Sequence, residues 1–283
     1  MAAAHATRPV MAGLVPQPGP SGPVRDLNRS VCFLNWTMPG ARDWIRAMAD
    51  GGYRQFCPIA KGAEIVATRW TPLILRELMF GERSFNDIQR GVPLISRALL
   101  AERLRQLAHD GIVEKRARRG GKGHEWRLTP SGDALREVLA ALGRWGLIYG
   151  RDRVTPDDHD STVLMWALRR RVDRSLLPDR RVVLRFDLSG VPRCRTGLRL
   201  HWLVLEPDNV EVCYKDPGHP VDVIVTGEIS ALIAVYLGHA SWSQATRRSL
   251  TVRGDREVAR HMAAWLQLDK RVGYELPIVP SAA

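Results

Sequence analysis

The sequence predicts an α+β protein with two folded units, and three observations lead to this fold class. Apolar residues recur at helical spacing between residues 58 and 109. Two basic, strand-like runs then flank a glycine-rich segment. After residue 180, four runs alternate polar and apolar residues, and further helical segments follow them. We therefore expect helices with a small hairpin, followed by an antiparallel β-meander covered by helices.

The chain divides into three parts by composition. Its 283 residues suit two domains. Residues 1–50 are rich in proline, glycine and alanine, which predicts a disordered tail, and Met38 and Met48 are alternative translation starts within it. Residues 53–150 form the first predicted domain and residues 157–275 the second. The polar, proline-containing link "RDRVTPDDHD" separates them.

Composition argues against several classes of protein. No apolar run approaches the ~20 residues of a membrane-spanning helix, and the first forty residues lack a secretory apolar region. We therefore expect a cytoplasmic protein without a membrane span. The four cysteines lie far apart, and the eight histidines show no metal-ligand spacing. With no nucleophile elbow or paired acids either, we expect no metal, no cofactor and no enzymatic activity.

Positive charge is concentrated in one short segment. The formal net charge of the chain is +12. Residues 90–127 carry ten basic and four acidic residues, so about 38 residues hold half of the surplus. A focused basic patch of this kind is expected of a protein that binds a polyanion.

Punctuating residues divide the first domain into helices. Pro58 suits the first turn of a helix, and Pro72 predicts a kink or break in the pattern that follows. Ser84 can cap the short helix "FNDIQRG". A longer helix is expected to begin near Leu94 and to end at Gly111, with a buried stripe of leucines.

The segment after this helix has two interpretations. "IVEKRARR" and "HEWRLT" predict strands around "GGKG", so the order is helix-turn-helix and then hairpin, the winged arrangement. A phosphate-binding loop would instead need Ser or Thr where Gly123 stands, glycine where Arg116 stands, and a following helix. Charged loops are often merely solvated, but the preceding helix-turn-helix favours contact with DNA.

The winged arrangement assigns roles to particular residues. The N-terminal residues of the longer helix would enter the major groove of double-stranded DNA. Ser96 and Arg97 are the candidates for base edges, although Arg97 could equally contact a phosphate. The remaining candidates would mostly neutralise phosphates; they are Arg103, Lys115, Arg116, Arg118, Arg119 and Lys122.

The segment "SGDALREVLAALGRWGLIYG" predicts an amphipathic helix that closes the first domain. Its apolar side carries Leu135, Val138, Leu142, Trp145 and Tyr149. A small domain offers this side little cover, so we expect a dimer partner to bury it.

The first domain resembles the HxlR-type winged helix-turn-helix transcriptional regulators. The matching stretches include "RWTPLILREL", "GERSF", "RLRQLAHDGIV" and "WRLTPSGDALREVLAALGRWG". The resemblance implies a homodimer that binds an inverted-repeat operator. The wing "RRGGKG" departs from the proline-containing turn common in the family. Some members sense oxidants or electrophiles with a cysteine near Cys57, although a lone cysteine is more often a buried small hydrophobe.

The second domain should contain one helix from Asp157, four strands, two short helices around Gly238, a last strand and a terminal helix. The segments "ALIAVYLGHASWSQA" and "SLTVRGD" are similar to a sterol-carrier-protein type of domain. The resemblance implies a cavity for an apolar ligand, although the same residues could fill an ordinary core. The candidate lining is Trp202, Val204, Leu232, Val235, Tyr236, Trp242, Met262 and Trp265.

Two functions from different classes compete at this point. The favoured one is a sequence-specific DNA-binding transcriptional regulator, more often a repressor, which is homodimeric and controlled by a hydrophobic small molecule. The alternative is a lipid-binding carrier whose basic domain serves oligomerisation or contact with anionic membranes. Sequence-specific, salt-dependent binding to duplex DNA separates them.

Overall fold

The computed structural model describes residues 52–118, 123–192 and 198–270. The predicted disordered tail and the end of the second domain, from residue 271, lie outside the described residues. Residues 53–150 are called the helical unit below, and residues 157–270 the sheet unit. In the described part of the chain no helix has the length and apolar character needed to cross a membrane.

The helical unit begins with four helices. They are α1 (Pro58–Val66), α2 (Thr71–Met79), α3 (Phe85–Gly91) and α4 (Arg97–His109). The predicted break near Pro72 is confirmed, because α1 and α2 are separate helices and Trp70 between them has a φ of +77°. Gly111 follows α4 with a φ of +70°, a conformation that glycine adopts without steric cost.

A two-stranded hairpin and two further helices complete the helical unit. They are β1 (Val113–Ala117), β2 (His124–Leu128), α5 (Pro130–Ala134) and α6 (Arg136–Tyr149). The strands pair antiparallel, which confirms the predicted hairpin. The single closing helix predicted from the sequence is instead the pair α5 and α6. Thr129 starts α5 by accepting a hydrogen bond from the Gly132 N–H at 3.1 Å.

The core of the helical unit lies between the helices and the hairpin. The predicted leucine stripe of α4 is confirmed, since Leu100, Leu104 and Leu107 are all buried. They pack in one cluster with residues from α2, α3 and both strands, namely Ile74, Leu75, Met79, Ile88, Val113 and Trp126. The helix-turn-helix and the hairpin are therefore held together by a shared apolar core.

Helix α7 (Ser161–Arg171) opens the sheet unit, after short 3₁₀ turns at Arg151–Arg153 and Pro156–Asp158. A third 3₁₀ turn, Arg174–Leu176, follows it. The remaining elements are β3 (Val182–Ser189), β4 (Leu200–Leu205), β5 (Val210–Cys213), β6 (Val223–Glu228), α8 (Ile229–Tyr236), α9 (Trp242–Arg248), β7 (Leu250–Gly254) and α10 (Arg256–Trp265).

The five strands form a mixed sheet in the order β5-β4-β3-β6-β7. Strands β3, β4 and β5 form the antiparallel meander that was predicted, but β6 pairs parallel with β3, so the fully antiparallel prediction was wrong. The cause is long-range. The Asp222 carboxylate accepts a hydrogen bond from the Val183 N–H at 2.7 Å, and the Asp222 N–H donates to the Val183 carbonyl at 2.9 Å. These bonds hold the start of β6 beside the start of β3.

The eight residues predicted to line one apolar pocket do not share one surface. Five of them, Leu232, Val235, Trp242, Met262 and Trp265, lie in the core between the sheet and its helices, and Tyr236 packs at the edge of that core. Trp202 and Val204 instead form a separate small cluster with Val183. Alternate residues of a strand point to opposite faces of a sheet, so these two lie opposite Leu203 and Leu205.

Candidate nucleic-acid interface

The candidate interface begins where α4 begins. The Ser96 hydroxyl accepts a hydrogen bond from the Leu99 N–H at 3.2 Å and caps the helix, so the first helical residue is Arg97 rather than Leu94. The preceding turn is fixed from within the unit, because the Gln89 amide donates to the Ile95 carbonyl at 2.7 Å. The predicted base-contacting residues Ser96 and Arg97 therefore lie, exposed, at the N-terminus of a well-anchored helix.

Arg97 is held against the preceding helix. Its guanidinium lies 4.8 Å from the centroid of the Phe85 ring. Both of its terminal nitrogens donate to the Asn86 side-chain oxygen at 3.2 Å. A guanidinium has five N–H groups, so three are left for another acceptor. The cation is thus oriented by α3 while most of its donors are still available to a base edge or a phosphate.

The outer face of α4 contains further polar residues that the sequence prediction missed. Its exposed positions recur at helical spacing opposite the leucine stripe; they are Ala98, Glu102, Arg105, Gln106 and His109. Arg105 pairs with Glu102 at 2.6 Å, and the Gln106 amide donates to Asp110 at 3.0 Å. Counting three and four residues onward from Ala98 would have identified this face from the sequence.

Arg103 occupies a different position on α4 from the outer face. It is half-buried, and its Nε atom is buried without a hydrogen-bond partner in the part of the chain that the structure describes. The adjacent position, Leu104, belongs to the buried stripe. Arg103 therefore lies on the flank of the helix.

The hairpin is anchored by Trp126. Its side chain is buried, and its backbone N–H donates to the Arg83 carbonyl at 2.9 Å, which ties β2 to the loop before α3. Lys115 is the cross-strand neighbour of Trp126, and its ammonium lies 5.9 Å from the ring centroid. Trp126 thus anchors the hairpin in the apolar core, and the exposed cation of Lys115 lies beside it.

The end of the hairpin is basic and requires glycine. The Arg118 N–H donates to the Gly123 carbonyl at 3.1 Å, and Gly123 has a φ of +108°. Arg116 pairs with Glu114 at 2.7 Å. The predicted contact residues Arg119 and Lys122 lie outside the described residues.

The uncompensated cations are the electrostatic signature of this surface. Within the described ranges, Arg97, Lys115 and Arg118 form no ion pair with a carboxylate, and all three are exposed. Arg105 and Arg116 are paired. An incoming phosphate could therefore contact the first three without displacing a carboxylate.

Cys57 occupies the position directly before α1, and its side chain makes no capping hydrogen bond to the described helix. Its thiol is free, and the residue is partly buried. Among the residues that the structure describes, no cluster of His, Cys, Asp or Glu side chains could hold a metal ion.

Comparisons with known proteins agree on the helical unit. Residues 65–153 match the model of the HxlR-like helix-turn-helix family. The HTH-type transcriptional regulator YvaP of Bacillus subtilis is 31% identical over 93 residues, which are 32% of this chain and 86% of that protein. YodB of the same organism, also named an HTH-type transcriptional regulator, is 34% identical over 91 residues, which are 31% and 81% of the two chains.

Two further similarities also cover about a third of this chain. An HTH-type transcriptional regulator of Mycobacterium tuberculosis is 37% identical over 92 residues, and this chain spans only 58% of its length. The crystal structure of diamide-treated YodB is 32% identical, covers 34% of this chain and 96% of its own, and superposes with a TM-score of 0.29.

Proposed function

Because the chain belongs to the HxlR-like helix-turn-helix family, we propose that it is a sequence-specific DNA-binding transcriptional regulator. The observation that carries the proposal is the set of exposed cations at the start of α4 and along the hairpin that have no carboxylate partner among the described residues. Since transcription takes place where the DNA is, we also propose a cytoplasmic location.

Helix α4 and the hairpin would divide the work of binding. The N-terminus of α4 would enter the major groove, where Arg97 and the outer-face residue Gln106 can reach base edges. Lys115 and Arg118 on the hairpin would neutralise phosphates, which adds affinity but little sequence information. Sequence preference should therefore depend on α4, and salt sensitivity mainly on the hairpin.

Selection of duplexes from a random-sequence pool by the full chain tests the proposal. We expect an enriched sequence with two inverted half-sites, and affinity for it that falls steeply with salt concentration. A pool that yields no preferred sequence would overturn the proposal. Binding to anionic vesicles without duplex binding would favour a carrier instead.

The proposed regulator acts as a homodimer. Helix α6 exposes five large apolar residues, namely Val138, Leu142, Trp145, Ile148 and Tyr149. A monomer rarely leaves such a continuous apolar face in water, and a second copy would cover it. Two copies would also match two half-sites of an inverted repeat. A dimer bound over a promoter would exclude polymerase, so repression is the proposed mode.

Two forms of control belong to the same proposal. Cys57 would sense oxidants or electrophiles, since its thiol is free and only partly buried; quinone treatment should then release DNA from the wild type but not from Cys57→Ser. A hydrophobic small molecule would act through the sheet unit. Leu232, Val235 and Met262 are fully buried, so such a ligand would have to displace α8 or α10 from the sheet.

A further inference from the structure

A buried carboxylate joins the two units of the protein. Glu77 lies on α2 and is fully buried. It accepts a hydrogen bond from the Trp166 indole N–H at 3.1 Å and pairs with the Arg170 guanidinium. Trp166 and Arg170 both belong to α7, the first helix of the sheet unit. Since a buried carboxylate is costly unless it is paired and hydrogen-bonded, this contact depends on both units.

The same carboxylate also fixes the end of α3. The Arg76 guanidinium lies 2.7 Å from the Glu77 carboxylate and also donates a hydrogen bond to the Gly91 carbonyl at 2.9 Å. A Cβ atom on Gly91 would come within 1.8 Å of the Glu77 carboxylate, so only glycine allows the approach. Gly91 is the last residue of α3, directly before the turn that leads to α4. The name "Glu77 junction" is used below for Arg76, Glu77, Gly91, Trp166 and Arg170.

A second ion pair runs beside the junction. Glu82, in the loop before α3, pairs with Arg169 of α7 at 2.8 Å. Arg169 also donates to the Val210 carbonyl in β5 at 2.9 Å. Burial raises the pKa of the Glu82 carboxyl, and the charge of Arg169 opposes this shift. The start of α3 is thus tied to the sheet, as its end is tied to α7.

We propose that Glu77 is a positioning residue for DNA binding, because it holds the α3–α4 pair in a fixed orientation on α7. Through it, any change in the sheet unit that moves α7 also moves the recognition helix α4. The junction is thereby the route by which the sheet unit controls DNA affinity, a coupling between two parts of one chain. This inference rests on the proposed DNA-binding function.

Three substitutions remove the junction in different ways. Trp166→Phe keeps the aromatic ring and deletes only the indole N–H, Arg170→Met deletes the buried cation, and Glu77→Gln deletes the charge. Val204→Ala is the matched control, because Val204 is buried in β4 but packs in a separate cluster with Val183 and Trp202. It should lower stability without removing any contact of the Glu77 junction.

Affinity for the duplex selected by the wild-type chain is the first readout, measured at a temperature where each variant is folded. We expect Trp166→Phe and Arg170→Met to bind about five- to twentyfold more weakly, and Val204→Ala to bind like the wild type. Wild-type affinity in both junction variants would overturn the proposal, as would an equal loss in the control.

Calorimetry of the full chain without DNA is the second readout. The wild type should unfold in one transition, whereas Glu77→Gln and Arg170→Met should separate the helical unit from the sheet unit into two. A single transition in all variants would contradict the coupling. If the wild type selects no duplex, the proposed function fails, and the number of transitions still decides whether Glu77 couples the units.

Discussion

Gly132 shows how one residue can limit the fold of the helical unit. It lies in α5, and a Cβ atom there would come within 2.0 Å of the Ile112 carbonyl oxygen. The Thr129 hydroxyl, which caps α5, donates to the neighbouring Gly111 carbonyl at 2.6 Å. Helix α5 therefore rests directly on the backbone that starts the hairpin.

Replacing Gly132 with alanine should destabilise the protein. The added methyl group must push α5 away from Ile112, which should lower the free energy of unfolding by about 2 kcal/mol. Gly62→Ala is the control, because Gly62 lies in α1 with open space around it, and alanine there should add about 0.5–1 kcal/mol. Urea denaturation measures both, and equal effects would refute the argument.

His201 is the residue through which pH should act on stability. It is fully buried in β4, where it meets the Tyr214 ring edge-on at 5.8 Å. Within the described ranges, neither ring nitrogen has a hydrogen-bond partner. Burial lowers the pKa of His201 to about 4, although the Arg199 backbone and the charge of Asp160 oppose the shift.

The folded state favours the neutral imidazole of His201 over its protonated form. The stability that His201 contributes is therefore complete above pH 6.5, its ordinary pKa, and is lost as the pH falls toward 4. We expect a loss on the order of 3 kcal/mol over this range. Denaturation of His201→Phe should show a smaller loss between the same pH values. Parallel profiles for the two proteins would show that other groups cause the acid sensitivity.

At the scale of elements, α4 and the hairpin should be separable in binding experiments. Arg97→Ala should reduce the preference for the selected duplex over a scrambled one by about tenfold, because a base contact is worth about 1–3 kcal/mol. Arg118→Ala should weaken binding to both duplexes alike. It should also reduce the slope of log affinity against log salt concentration by about one.

The control for both variants is Arg181→Ala. Arg181 is an exposed arginine of the sheet unit that pairs with Glu206 at 2.7 Å. Its removal changes the net charge by the same amount, so an equal effect on binding would mean that net charge alone attracts the DNA. A loss of sequence preference in Arg118→Ala would reverse the roles of α4 and the hairpin.

Elements with local signals could be predicted from the sequence, and those that depend on distant residues could not. Ser84 and Gly111 mark helix ends by their own chemistry, so α3 and α4 could be placed. The parallel pairing of β6 depends on Asp222 meeting Val183, 39 residues away along the chain. The Glu77 junction likewise joins residues 89 and 93 positions apart, which no local pattern reveals.

The same difference between local signals and contacts with distant residues applies to the candidate site. The start of α4 was predicted near Leu94, three residues before the observed start at Arg97, although the Ser96 cap is a local signal. Arg103 is half-buried because it lies next to the leucine stripe on α4, and its contact with a phosphate stays a prediction. The pocket prediction grouped Trp202 with Met262 because the resemblance to a sterol-carrier-protein type of domain implied one cavity, but strand alternation places them on different faces of the sheet.

At the scale of the whole molecule, the exposed side of α6 calls for a partner. Val138, Leu142, Trp145 and Tyr149 recur at helical spacing, and each is about half exposed or more. Trp145 and Tyr149 lie 5.7 Å apart as an aromatic pair. On the other side of the helix, Leu139 packs into the core of the helical unit. An α6 helix from a second copy would bury the outer side in the same way.

Leu142→Glu combined with Trp145→Glu should therefore convert the proposed dimer into a monomer. Two carboxylates on this face would have to be buried in the interface without partners. The free-energy cost of burying them exceeds the stabilisation that the apolar contact provides. Sedimentation should give twice the 31.7 kDa of one chain for the wild type and a single chain for the variant. Leu176→Glu is the control, because Leu176 is equally exposed but lies on the sheet unit. This variant should stay dimeric. A monomeric wild type would contradict the argument.

Since each copy of α4 can contact only one half-site, the double variant should also protect one half of the inverted repeat at concentrations where the wild type protects both.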